Sequence, residues 1–84
     1  MSWQIVWMPR ALKDIRKLDP QIRARVVAAV ERFASTGSGD VLQLEDVYPP
    51  EWRLRVGDWR VRFQKDLAGS LLLILRVLPR GKAY

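Results

Sequence analysis

Eighty-four residues, 49% apolar and 29% charged, make one small globular domain over residues 1–84, near the size at which a single core only just suffices. The net charge of +6 points to a polyanionic partner, and eleven of the fifteen basic residues are arginine, whose planar fork grips two phosphate oxygens at once. With no cysteine and no histidine, disulfides, thiolate metal sites and imidazole acid–base chemistry are excluded, and no metal or cofactor is expected.

In chain order, Trp3 to Trp7 alternates weakly and is rich in strand formers, so it reads as a first strand. Pro9 suits the first turn of a helix in which Leu12, Ile15 and Leu18 recur at helical spacing. Asp19 is the expected N-cap of a second helix that opens on Pro20, carries Ile22, Val26, Val30 and Phe33 on one stripe, and stops near Thr36-Gly37. So short a link predicts an antiparallel helical hairpin. Thr36-Gly37-Ser38-Gly39 contains a Gly-x-Gly, but neither the strand nor the lysine of a phosphate-binding loop accompanies it. Val41 to Leu44 is a short strand candidate. Glu45 to Glu51 is an acidic connection, and its carboxylates read as solvated surface.

Residues 52–63, Trp-Arg-Leu-Arg-Val-Gly-Asp-Trp-Arg-Val-Arg-Phe, alternate apolar and arginine on both sides of a Gly-Asp turn signal. With Gly57-Asp58 as a two-residue hairpin loop, Val56 lies opposite Trp59, Arg55 opposite Arg60, and Arg53 opposite Arg62. All four arginines then share one face, and Trp52, Leu54, Val56, Trp59, Val61 and Phe63 share the other. Like charges directly across a hairpin repel, so a face of this kind points to an anionic ligand rather than to solubility alone. The tryptophans Trp3, Trp7, Trp52 and Trp59 fall on the apolar side by parity and read as core. Leu71 to Leu78 is apolar on both faces apart from Arg76, as in a central strand covered by helices on one side. The order predicts an α+β fold: an N-terminal strand, the antiparallel helical hairpin, then a three- to four-stranded antiparallel sheet with the helices packed on one face. The run Leu71 to Leu75 is too short to span a membrane and the N-terminus lacks signal-peptide features, so a soluble cytoplasmic protein is expected.

Several segments together resemble the RelE/ParE superfamily of type II toxins over nearly the whole chain. They are Trp3 to Trp7, Ala11 to Leu18, Leu44, Trp52 to Val61, and Pro79-Arg80-Gly81-Lys82-Ala83-Tyr84. The arginine followed four residues later by tyrosine looks like the RelE branch. That resemblance implies an mRNA interferase: a metal-independent endoribonuclease that cuts messenger RNA in the ribosomal A site through the substrate's 2′-hydroxyl, arresting translation. It places the catalytic residues on Arg53, Arg55, Arg60, Arg80 and Tyr84, with Arg62 and Lys82 as further RNA-binding positions. Arginine cannot give up its proton, so within this set Tyr84 is the one group able to act as base. The resemblance also implies a cognate antitoxin, acidic and folding on the toxin, in a hetero-oligomeric complex that binds operator DNA through the antitoxin. The alternatives are a ParE-like, non-hydrolytic inhibitor of DNA gyrase and an RNA-binding module without activity.

Overall fold

In a computed structural model describing residues 2–82, the elements run β1 (Gln4–Trp7), α1 (Pro9–Arg16), α2 (Pro20–Thr36), β2 (Asp40–Gln43), β3 (Trp52–Val56), β4 (Trp59–Asp66), β5 (Leu71–Pro79) and a closing 3₁₀ turn (Arg80–Lys82). They build one five-stranded sheet in the order β1-β5-β4-β3-β2. β2 to β5 form an antiparallel meander, and β1 lies parallel to β5, Gln4 opposite Leu71 through Trp7 opposite Ile74. The sheet is therefore mixed and one strand wider than the sequence pattern suggested. The reason is connectivity: the two helices between β1 and β2 carry the chain over one face, long enough a crossover to let β1 enter beside β5 in parallel.

The helices begin and end where the local chemistry says. Pro9 and Pro20 occupy first-turn positions, the Asp19 side chain accepts from the Gln21 amide at 3.0 Å, and Gly37 closes α2 at φ 75° with its amide on the Phe33 carbonyl. Arg23 in α2 reaches back to the carbonyls of Ile15 and Leu18 at 3.0 and 3.1 Å, tying the end of α1 to α2. Val26, Val30 and Phe33 on α2 then pack with Leu54, Val61, Phe63, Leu72, Ile74 and Val77 of the sheet, and Trp3, Trp7, Trp52 and Trp59 border this core. No helix among the described residues is long and apolar enough to cross a membrane.

One irregularity decides where a charge goes. Along β5 the core positions Leu72 and Ile74 are two apart, and continued alternation would send Arg76 inward. A bulge between β4 and β5 prevents that. Arg62 opposes Arg76 and Phe63 opposes Ile74, so Leu75 is the extra residue, Val77 takes the core position and Arg76 emerges on the opposite face.

Candidate functional site

The hairpin register is the one its sequence dictates: Trp52 faces Phe63, Arg53 faces Arg62, Arg55 faces Arg60 and Val56 faces Trp59. Gly57 supplies the positive φ (58°) that the first position of this loop requires. The helices cover the apolar face, so the arginines lie on the open one.

There they form two adjacent rows across the strands, two residues apart and so about 7 Å along them. In the first row, Arg53, Arg62 and Arg76 sit side by side on β3, β4 and β5. Each holds a carboxylate. Arg62 meets Glu51 at 2.6 Å, Arg76 takes Asp14 by two hydrogen bonds at 2.8 and 3.2 Å, and Arg53 reaches both the carboxylate and the carbonyl of Asp40 at 3.4 and 3.2 Å. The Arg53 side chain is 15% exposed, and its Nε is buried without a partner. Asp14 also accepts the Val77 amide, freed from strand pairing beyond the end of β1, at 2.8 Å. Burial pushes the Asp14 carboxyl up, but the hydrogen bonds from Arg76 and Val77 and the Arg76 charge outweigh it and hold the group below its ordinary value. The hydrogen bond to Asp14 raises Arg76 in turn.

The second row is Arg55, Arg60 and then Leu78. Among the described residues neither arginine has a carboxylate within ion-pair distance, although Asp40, committed to Arg53, lies opposite Arg55. Arg60 is fixed by two backbone carbonyls, Gly57 at 2.9 Å and Trp59 at 3.0 Å, which orient a guanidinium without neutralising it. Arg80 follows β5 directly, and its amide donates to the Asp58 carbonyl at 2.9 Å, so this residue is pinned to the same Gly57-Asp58 turn. Arg80 and Lys82 are exposed and likewise lack a carboxylate partner among the described residues. Arg55, Arg60 and Arg80 are thus brought to one corner of the open face. Arg53 and Arg62 are on that face but already paired. Tyr84 lies outside the described residues.

Three functional features escaped sequence reasoning. Glu51 is not solvated surface: its side chain is 14% exposed and clamps Arg62. Asp40, on the open face with its side chain 59% exposed, places a carboxylate beside the arginines that the hairpin pattern did not announce. Arg76 joins the cationic face, and the signal for it was a lone charge inside the apolar run Leu71 to Leu78.

Two helices thus lie on one side of an antiparallel meander that a parallel first strand completes. The sequence matches the family model described as the ParE toxin of type II toxin–antitoxin system, parDE, over residues 5–84, and the chain belongs to that family, within the RelE/ParE superfamily. Among solved structures it is similar to the archaeal RelE–RelB complex from Pyrococcus horikoshii OT3, with a TM-score of 0.80 at 23% identity, covering 99% of this chain and 100% of that one. The toxin–antitoxin complex RelBE2 from Mycobacterium tuberculosis aligns with a TM-score of 0.71 at 28% identity, covering 95% and 100% of the two chains. The RelB–RelE complex from Methanococcus jannaschii gives 0.74 at 22% identity, covering 94% of each. No curated protein sequence matches the chain.

Proposed function

We propose that this toxin is a RelE-type endoribonuclease that cuts messenger RNA in the ribosomal A site and stops translation. The observation that carries the reading is the corner at the β3–β4 turn, where strand register and a backbone hydrogen bond bring Arg55, Arg60 and Arg80 to neighbouring positions, none of them in an ion pair among the described residues. Attack of the substrate's 2′-oxygen on the adjacent phosphorus passes through a doubly charged phosphorane. The bond from phosphorus to the 5′-oxygen then breaks, that oxygen takes a proton, and a 2′,3′-cyclic phosphate remains. A cation already fixed by backbone carbonyls, as Arg60 is, stabilises such charge without reorganising during the reaction.

In this reading Arg55 and Arg60 hold the scissile phosphate, Arg80 stabilises the departing 5′-oxygen, Arg53 positions the RNA, and Arg62 and Lys82 lie along its path. Tyr84 takes the 2′ proton, with Asp40 the alternative acceptor. A cognate acidic antitoxin, folding over this basic surface, silences the toxin in a hetero-oligomeric complex that reaches operator DNA through the antitoxin. The resemblance at Arg80 and Tyr84 supports the residue roles, and the antitoxin complexes among the structural neighbours support the antitoxin partner.

Toeprint mapping of message on translating ribosomes tests the scheme. Arg80→Ala and Tyr84→Phe should each abolish most cutting. If both proteins stay folded and cut like the parent, the reading fails. The match to the ParE family model favours a second reading, inhibition of DNA gyrase by protein contact. A supercoiling assay run beside the translation assay separates the two, because gyrase inhibition requires no RNA cleavage.

A further inference from the structure

We propose that a single-stranded polyanion, RNA on the reading above, does not end at the open face but passes over the Gly57-Asp58 turn into a second cationic groove on the helix side. The proposal rests on that reading for the identity of the strand. The groove, about 420 Å³, lies between α2 and β3 and is lined by Arg25, Ala28, Ala29, Arg32, Arg55 and Gly39, with Leu54, Val56 and Ser38 completing it.

Its construction is local and legible. Arg25, Ala28, Ala29 and Arg32 are spaced i, i+3, i+4, i+7 and so form one stripe of α2. Two alanines between two arginines leave a shallow floor with a cation at each end, about 10.5 Å apart along the helix at 1.5 Å per residue. On the far wall the chain must come close. A Cβ on Gly39, whose φ is 152°, would stand 2.8 Å from Leu54 Cδ1, so glycine keeps this wall low. Neither Arg25 nor Arg32 has a carboxylate within ion-pair distance among the described residues. Both are exposed.

The turn joins this groove to the open face. Arg60 reaches the Gly57 carbonyl at 2.9 Å from the sheet side, and the Arg25 Nη2 lies 3.3 Å from where a Cβ on Gly57 would stand, from the helix side. Arg80 is pinned to Asp58 of the same turn, and Arg55 borders both the open face and the groove. Cations therefore flank the turn on both sides at one corner of the molecule, with glycine at the saddle and the exposed Asp58 as the one acidic side chain of the turn itself. A strand whose scissile phosphate sits at Arg55 and Arg60 has its neighbouring nucleotides directed over that saddle. An apolar floor under flanking cations suits ribose or a base edge between phosphates.

The test is binding of fluorescein-labelled, 2′-deoxy-blocked oligonucleotides of two, four, six and eight residues to the full chain, read by anisotropy between 50 and 200 mM salt. Affinity of the parent should rise with length beyond two residues. Arg25→Ala/Arg32→Ala should erase that gain and leave the shortest oligonucleotide unchanged. Losing two phosphate contacts also flattens the salt dependence by about 1.4 log units per log unit of salt, so across that range the parent should lose about sevenfold more affinity than the variant. Ala28→Glu, which puts an anion on the floor without removing a cation, should act in the same direction. Retention of the full length dependence by both variants overturns the proposal. An equal loss at every length, as from a diffuse field, overturns it too. So does unchanged oligonucleotide binding with weakened binding of a glutamate-rich amphipathic peptide, which would make the groove a protein-docking surface. Cleavage is not read in this assay, so failure of the nuclease reading would appear separately, in the toeprints of Arg80→Ala and Tyr84→Phe.

Discussion

Two neighbouring rows of arginine on one face of one sheet are held in opposite ways. Arg53, Arg62 and Arg76 each meet a carboxylate, supplied by Asp40 from the adjacent strand, Glu51 from the loop before β3 and Asp14 from helix α1. Arg55 and Arg60, one step nearer the turn, meet none among the described residues, and Arg60 is oriented by carbonyls alone. A paired guanidinium is a cross-brace: it joins elements and its field is largely cancelled at a distance. An unpaired one held by backbone keeps its charge for a ligand. The cross-strand repulsion expected of this hairpin is thus relieved in one row and retained in the other.

The largest effect should follow from removing a second-row cation. Arg60→Ala is expected to reduce ribosome-dependent cutting about 100- to 1,000-fold, the range for deleting one preorganised transition-state donor. Its thermal midpoint should stay close to that of the parent, because the lost hydrogen bonds are exposed or nearly so. A large fall in the midpoint with modest loss of cutting would place Arg60 with the braces and erase the distinction between rows.

Next should come the brace at the bulge. Asp14→Asn keeps the shape but leaves Arg76 without its anion and weakens the bond to the Val77 amide. A loss of about 1–3 kcal/mol in unfolding free energy is expected. The pH dependence has a definite sign. The folded carboxyl titrates below its ordinary value of 3.8, so its contribution is complete above that pH and disappears as pH falls through the lower folded value. Urea melts of parent and variant should therefore differ most at neutral pH and converge in acid. A difference that persists undiminished in acid strong enough to protonate both states would show that the carboxylate charge is not what holds α1 to β5.

Much of this contrast was written in the sequence, and some of it could not be. The period-two alternation of residues 52–63 around Gly57-Asp58 specified the register and both faces, because a one-residue slip would bury four arginines. Pro9, Asp19, Pro20 and Gly37 marked the helices through local backbone chemistry. Non-local facts were hidden. The parallel pairing of β1 with β5 depends on the path of two intervening helices. Asp14 and Arg76 lie 62 residues apart and meet through a bulge that no propensity announces. Glu51 reads as loop charge until β3 and β4 are paired, at which point it lies beside Arg62.

A smaller effect should come from the turn that positions the second row. Gly57 at φ 58° is in the region that an L side chain enters at a cost, and a methyl there would meet Arg25 Nη2 at 3.3 Å. Gly57→Ala should cost about 1–2 kcal/mol in stability. Its cutting rate should fall further than that strain explains, because the Gly57 carbonyl orients Arg60. Equal losses in chemical melts and in cutting would mean that the turn matters only for folding.

The smallest effect is the most informative about the rows. Glu51→Gln preserves one hydrogen bond to Arg62 and removes the charge; this pair is as buried as Asp14–Arg76 but lacks the backbone amide that Asp14 also accepts, so the loss of stability should be smaller, about 0.5–1 kcal/mol. Electrostatics on the open face should change more. With its brace neutralised, Arg62 becomes available to phosphate, and the salt dependence of oligonucleotide binding should steepen by up to about 0.7 log units per log unit of salt. That outcome would convert a member of the first row into a member of the second by a single charge. If binding instead weakens, Glu51 serves to aim Arg62 at the strand, and the first row takes part in recognition through its braces.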